Sequence, residues 1–436
     1  MTTGEPTTTH GDHGLPIQRA VFWGLVGSVG YGLCQWATLV VIARLGTPEW
    51  VGRFSYGLAV SAPVIMLTNM QLGWLQATDG AERYRFADYW RHRLFYSLLG
   101  FLLIAAIAAW RADGPIAGIV LIVGAAKVFE SWSDVHHGRF QRMQRLDLLA
   151  SSQLMRGVGG VVAVALLIAA TNALWPAIVG LALVWFSVWY FHDRKAGGKE
   201  STGSSAARVT ALTRQAYPLG VAAMLVSINV SIPRLIIERV AGAHTLGVFA
   251  AIAYLVVGGR MVALPFGQVY APRFGAALAA GDRVGFRRLL RHLLLVGLGL
   301  GAIGLIAAVG FGAPLLRVLY GPQYALEHRA FVIVMAVAAI GYLSSFLQLG
   351  VTAAREIGAQ VPIIVLSILA TGVCAWWLVP GNPIEGGALA MAAGAGVEFL
   401  GSVLLLWRTE RRALDGQRTA DPRPLAARDV GPGDGS

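Results

Sequence analysis

The sequence is short of charge. Asp, Glu, Lys and Arg make up 13% of its 436 residues, about half of the roughly 25% found in a typical soluble chain. That shortage excludes a disordered chain, a nucleic-acid-binding domain of ordinary composition and a cytosolic enzyme. Cysteine is scarce too. Cys34 and Cys374 lie far apart inside apolar runs, so no disulfide framework is implied. No G-x-x-x-x-G-K-[S/T] segment occurs, and Gly198-Lys199 lacks the upstream glycine spacing, which excludes a built-in nucleotide-hydrolysing domain. Polar stretches reach only about 20 to 30 residues, too few for a separate catalytic domain.

Apolar residues are abundant, at 56% of the chain with a mean hydropathy of +0.61. The 54 glycines suit helices that pack closely within a bilayer. A spanning helix needs about 20 mostly apolar residues. Twelve such runs between residues 20 and 407 predict an all-α polytopic membrane protein with twelve transmembrane helices. The formal charge of +12 is a matter of orientation. With the N-terminus in the cytoplasm, 25 of the 35 Lys and Arg residues fall inside, six fall outside and four lie within spans. Both termini are therefore expected in the cytoplasm, in the cell (inner) membrane, with the bilayer and not nucleic acid as the surrounding partner.

Residues 1–19 read as a polar cytoplasmic segment leading into an uncleaved first span, since no basic n-region precedes it. A first bundle at 20–192 and a second at 216–407 flank a Gly/Ser-rich cytoplasmic linker at 193–215. The polar tail, 408–436, is expected to be disordered. An internal repeat supports the division. Ile42, Arg44, Gly52 and Phe54 recur as Ile237, Arg239, Gly247 and Phe249 at an offset of 195. Phe86, Arg91, His92 and Leu94 recur as Phe286, Arg291, His292 and Leu294 at an offset of 200. Two six-helix bundles of the same orientation follow, a parallel repeat whose substrate sites lie between the halves.

Five segments carry a family likeness, in chain order. The first is Ile42-Ala43-Arg44-Leu45-Gly46-Thr47-Pro48-Glu49 with Val51-Gly52 and Phe54. The second runs from Pro233-Arg234-Leu235 to Leu246-Gly247-Val248-Phe249. Leu264-Pro265, Ala271-Pro272 and Gly281-Asp282 with Phe286 form the third. Leu319-Tyr320-Gly321-Pro322-Gln323-Tyr324 and Pro383-Ile384-Glu385-Gly386-Gly387-Ala388-Leu389 complete the set. Together they resemble the oligosaccharide flippases of the multidrug/oligosaccharidyl-lipid/polysaccharide (MOP) superfamily, the Wzx-like polysaccharide biosynthesis membrane proteins. The resemblance implies two bundles facing each other in a V-shaped alternating-access transporter. It also implies a polyprenyl-diphosphate-linked oligosaccharide flipped from the inner to the outer leaflet, with polysaccharide polymerase and glycosyltransferases as functional partners. Relatives often carry an acid before the arginine of span seven. Here that place is Pro233, so if that acid serves ion coupling in relatives, the coupling here has moved.

A charge at the bilayer centre costs roughly 2.5–3.5 kcal/mol on insertion scales, which makes each embedded charge a candidate for a cavity wall. Arg260, Arg234, Lys127 and Arg156 are the candidate substrate contacts, forming a cationic cavity for the diphosphate. Arg260, with no acid at helical spacing, is the leading one. Structural readings compete: an i, i+4 pair of Arg234 with Glu238, neutralisation of Lys127 by Glu130, and snorkelling of Arg156 to the headgroups. Lys127, Glu130 and Asp134 share one helix face. Glu398, Glu238, Glu130 and Asp134 are candidates for ion coupling or charge partnership, with Glu398 favoured as a partner. Asn69, Gln71 and Gln35 either line the cavity or bond between helices. His136-His137 reads as an interfacial pair without metal spacing. No catalytic or metal-binding residues and no bound cofactor are expected. H+ or Na+ coupling remains as the energy source.

Transport is thus the expected class, not catalysis. A cation-coupled multidrug exporter of the same superfamily would need an acidic cavity, yet spans one and two contain no Asp or Glu. A peptidoglycan lipid-precursor flippase is nearer, but such relatives carry spans beyond twelve. A membrane-embedded glycosyltransferase or polymerase would need a large outer loop, and the longest, around 314–328, is too short.

Overall fold

The computed structural model describes residues 15–79, 82–111, 114–196, 203–280, 282–353 and 359–419. Among these there is no strand, and eleven helices are long and apolar enough to cross a membrane. The first half contains α1 (Ile17–Leu45), α2 (Pro48–Asn69), α3 (Phe86–Arg111), α4 (Pro115–Arg142), α5 (Leu146–Thr171) and α6 (Leu174–Val188). The second contains α7 (Ala206–Ala279), α8 (Arg283–Leu319), α9 (His328–Ala353), α10 (Gln360–Leu378) and α11 (Pro383–Thr419).

Ordinary end signals set these limits. Thr47 accepts the Trp50 N–H, Pro48 opens the first turn of α2 and Glu49 meets its dipole. The second span therefore opens at Pro48. It also breaks at Met70 and Gln71, both in the left-handed region (φ 49° and 52°), before a short helix at Leu72–Thr78.

The 74 residues of α7 would extend about 110 Å if straight, against a hydrocarbon layer of about 30 Å. The helix breaks at Gly242, whose φ of 78° and ψ of 177° are open essentially to glycine alone. A Cβ at Gly387 would meet Ile237 at 2.6 Å and Phe249 at 2.9 Å. Twelve residues on a straight helix span about 18 Å. The arms before and after Gly242 therefore double back past Gly387.

The repeat reappears as a backbone crossing. A Cβ built on Gly52 would lie 1.7 Å from the carbonyl oxygen of Ala243, and one on Gly247 would lie 1.7 Å from that of Pro48. Pro48 and Gly52 correspond to Ala243 and Gly247 at the offset of 195. Each half thus presses its carbonyl on the other's glycine, a reciprocal approach that only a missing side chain permits.

Two further boundaries move. The expected linker at 193–215 is shorter, because α6 continues through a π turn (Trp189–Asp193) and a last turn (Arg194–Ala196), and α7 opens at Ala206. Leu212 and Ala216 bury themselves against Met70, Phe86, Tyr89 and Val135, while Arg208 Nε donates to the buried Asp88 at 2.7 Å. Such an amphipathic turn escapes a search for unbroken apolar runs. At the other end α11 runs on to Thr419, into the tail expected to be disordered. Glu, Arg, Ala and Leu there are good helix formers, and 420–436 lie outside the described residues. Aromatics at span ends divide likewise: Trp110 and Trp377 face outward, whereas Tyr89, Tyr320 and Tyr324 are buried.

Candidate functional site

Each half gathers its own polar cluster. In the first, Lys127 Nζ donates to Glu130 Oε2 at 2.7 Å, one turn along α4. The ammonium also lies 5.4 Å from the centre of the Trp185 ring of α6. Tyr31 of α1 donates its hydroxyl to the other carboxylate oxygen, Glu130 Oε1, at 2.6 Å, and accepts from Gln35 Nε2 at 2.6 Å. The Arg156 guanidinium lies 5.2 Å from the Tyr31 ring, and its Nη2 stands 3.5 Å from His137 Nε2. His137 Nε2 is in turn 2.9 Å from Ser152 Oγ.

Arg156 is only 2% exposed and does not snorkel. Gly157 beside it lets α1 close in: a Cβ there would come 2.8 Å from that of Cys34. His136 and His137 are buried between helices, not placed among headgroups, because α4 continues to Arg142. Asp193 is fully buried, with its Oδ1 2.9 Å from His192 Nδ1. All these partners belong to the first half.

Asp134 parts company with Lys127 and Glu130. Its Oδ2 accepts from Arg93 Nη2 at 2.7 Å, and Arg93, fully buried, also donates to Asn69 Oδ1. Asn69 is therefore a bond between helices, and Gln71 is exposed. Breaking a buried pair usually costs 3–5 kcal/mol, and the 44% exposure of the Asp134 side chain reduces this to about 1–3 kcal/mol. Asp134→Ala should lower the thermal midpoint in detergent accordingly. An unchanged midpoint would mean that Arg93 needs no counter-charge.

In the second half, Asn229 Nδ2 donates to Glu398 Oε1 at 3.0 Å and to Ser367 Oγ at 2.9 Å, which ties the first arm of α7 to α10 and α11. Arg234, one turn and a half further along α7, is half-buried and makes no hydrogen bond or ion pair among the described residues; Tyr254 of the second arm lies within electrostatic reach. The i, i+4 pair with Glu238 does not form. Glu238 is half-buried and engaged elsewhere. The backbone of Arg260 lies on the second arm, and its side chain is outside the described residues. Lys127, Glu130 and Arg156 are thus brought together, while Asp134, Glu398 and Arg234 stand apart from them.

The sequence profile of the polysaccharide biosynthesis proteins matches residues 17–277, well over half of the chain. The chain belongs to the polysaccharide biosynthesis protein family. A relative, the capsular polysaccharide biosynthesis protein CapF of Staphylococcus aureus, is 26% identical over 373 residues, 84% of this chain and 93% of CapF. An inward-facing multidrug resistance MATE transporter of the MOP superfamily superposes with a TM-score of 0.67 at 13% identity, covering 91% of this chain and 99% of its own. The lipid II flippase MurJ, in an inward closed conformation, gives 0.69 at 9% identity and covers 93% of both chains. At such identities the likeness is one of fold. This polysaccharide biosynthesis protein is thus a multi-pass membrane protein with the architecture of MOP transporters. Its charge network includes Tyr31, Arg93, His137 and Asp193, none of which the sequence marks as a site. Arg93 closes a charged stretch ahead of an apolar run, Asp193 opens the expected linker, and Tyr31 looks like any aromatic of an apolar run.

Proposed function

We propose that this family member is a flippase, not an enzyme. It would move a polyprenyl-diphosphate-linked oligosaccharide from the inner to the outer leaflet of the cytoplasmic membrane by alternating access. The chain would cross twelve times, the two arms of α7 counting separately, with both termini in the cytoplasm. The asymmetric placement of Lys and Arg supports that orientation. The observation that carries the substrate reading is Arg234: a half-buried guanidinium on a membrane helix, without an ion pair among the described residues. Such a group holds paired donors ready for phosphate oxygens. Arg260 and Lys127 would add charge to the same headgroup, and Arg156 would hold Lys127 and Glu130 in place. A Na+ or H+ gradient would drive the cycle, and glycosyltransferases and a polymerase would supply and consume the cargo.

The test is a clean deletion in the native host. Lipid-linked oligosaccharide should accumulate, shielded from reagents added outside, and surface polysaccharide should disappear. Complementation by Arg234→Ala should restore less than about a tenth of the wild-type polymer, a loss matching one charge-assisted phosphate contact. Arg234→Lys should restore an intermediate amount. Normal surface polymer in the deletion would overturn the assignment.

A further inference from the structure

A cavity of about 260 Å3 opens at the end of the molecule that the Lys and Arg distribution assigns to the cytoplasm. Lys127, Glu130 and Arg156 take no part in its wall. Both halves contribute to it. Thr78 and Asp79 follow the second span, Arg83 and Tyr84 precede α3, Tyr89 lies on the first turn of α3, and Gln215 comes from the opening turns of α7. Asp79 organises the side that belongs to the first half. Its Oδ1 accepts from the Arg83 N–H, and its Oδ2 from the Tyr84 N–H and the Tyr89 hydroxyl, each at 3.2 Å. A carboxylate has about four acceptor positions, so one is left for a ligand. Tyr84 donates its hydroxyl to Gln215 Oε1 at 3.2 Å, from one half to the other. That bond occupies the amide oxygen and leaves both amide protons to the cavity. Thr78 spends its proton on the carbonyls of Trp74 and Leu75, so its hydroxyl can only accept from a ligand. Arg83 is exposed, forms no ion pair among the described residues and adds donors of its own.

Donors and acceptors thus stand side by side in a wall where Asp79 and Arg83 cancel in charge. A ligand rich in hydroxyls matches such a wall, because each hydroxyl both donates and accepts. The Tyr84 and Tyr89 rings supply the apolar part, on which the C–H face of a sugar ring can rest. They meet edge to face, with centroids 6.0 Å apart and planes at 79°. Between them there is no parallel slot for the flat base of a nucleotide. We propose that this cavity binds one sugar ring at the far end of the oligosaccharide. Gln215 and Arg234 lie about 28 Å apart along α7. With the diphosphate at Arg234, the ring held at Gln215 is one remote from the lipid. Because Tyr84 and Gln215 belong to different halves, a sugar bridging them would tell the moving parts that the oligosaccharide is complete. That use rests on the flippase reading, whereas the binding of free sugar is testable without it.

The experiment uses the purified full-length protein in a detergent without a sugar headgroup. The probe is the set of oligosaccharide fragments released by mild acid from the host's own surface polysaccharide, free of lipid and diphosphate. The fragments should raise the thermal midpoint saturably, because a ligand bound only by the folded state stabilises it. Arg83→Ala and Gln215→Ala, at exposed positions, should leave the sugar-free midpoint unchanged. Each should raise the half-saturating concentration about tenfold, the loss of one or two hydrogen bonds. Tyr84→Ala should abolish the response, and Tyr84→Phe, which keeps the ring, should lose less. Arg214→Ala, beside Gln215 but outside the cavity, should bind as the wild type does. No shift with the fragments would overturn the proposal. Equal shifts in the wild type and the cavity variants, or a larger shift with adenosine than with the fragments, would overturn it as well. None of these results would touch the flippase assignment, which the deletion tests separately. Normal surface polymer in the deletion, together with cavity-dependent binding, would remove that assignment and keep the sugar site.

Discussion

Gly52→Leu is expected to abolish transport while leaving the protein inserted in the membrane. At the crossing of α2 and α7, the place of a Cβ on Gly52 is taken at 1.7 Å by the backbone carbonyl of Ala243, not by the tip of a flexible side chain. Overpacking a core costs about 1–3 kcal/mol even when side chains can yield. Here a helix must move, and at about 3 kcal/mol the equilibrium shifts by more than a hundredfold. The same end of the molecule is tied by other bonds between the halves. Arg44 Nε donates to the Leu319 carbonyl at 3.0 Å and Nη2 to that of Val318, satisfying the C-terminus of α8 with a cation. Trp36 Nε1 donates to the Tyr320 hydroxyl at 2.8 Å. Forcing Gly52 and Ala243 apart therefore opens the end that the Lys and Arg distribution assigns to the outside. Spin labels at the exposed Leu45 and Leu326 should report a longer separation in Gly52→Leu, and Gly247→Leu should match it through the repeat. Wild-type separation together with wild-type flipping would show that the crossing is not a closure.

That crossing was half legible in the sequence. Offset matching pairs Gly52 with Gly247, but nothing in one strand of text says that paired positions also touch. The helix count was legible because a bilayer demands long apolar runs, and Gly242 falls between two of them. The beginning of α7 was not. Leu212 and Ala216 need a partner surface on Phe86 and Tyr89, a tertiary fact that no local periodicity carries. The end of α11 was missed for the opposite reason, because polarity was taken as a sign of disorder where helix propensity prevailed.

The candidate site was less legible, since charge state in a membrane protein depends on which neighbours are within reach. Lys127 and Glu130 were readable as a pair because i, i+3 spacing is local. Arg93 was not, because its counter-charge is 41 residues away on another helix. Arg156 read as free to snorkel until α1 shut it in at Gly157. Small polar residues such as Ser367 occur in many apolar helices, and only its meeting with Glu398 and Asn229 distinguishes it.

Glu130→Leu should be strongly destabilising, and adding Lys127→Leu should restore stability without restoring flipping. The single change leaves the Lys127 ammonium without its carboxylate and the Tyr31 hydroxyl without its acceptor, inside a bundle where Arg156 adds a second positive charge. Breaking such a pair costs about 3–5 kcal/mol, and side-chain exposures of 20% and 25% place this one near the lower end. Replacing both partners by well-packed apolar side chains is often neutral or stabilising, since no charge then remains to be desolvated. Arg156 keeps the buried Asp193 as a nearby opposite charge in the double variant. Thermal melting in detergent and flipping in reconstituted vesicles separate the two roles. If the double variant regains both stability and flipping, the pair is structural and Lys127 does not meet the cargo. If it stays as unstable as Glu130→Leu alone, Tyr31 and Arg156 hold the bundle through Glu130, and the Lys127 bond is secondary. If it regains stability alone, the ammonium is kept for a phosphate and the carboxylate is what holds it until the phosphate arrives.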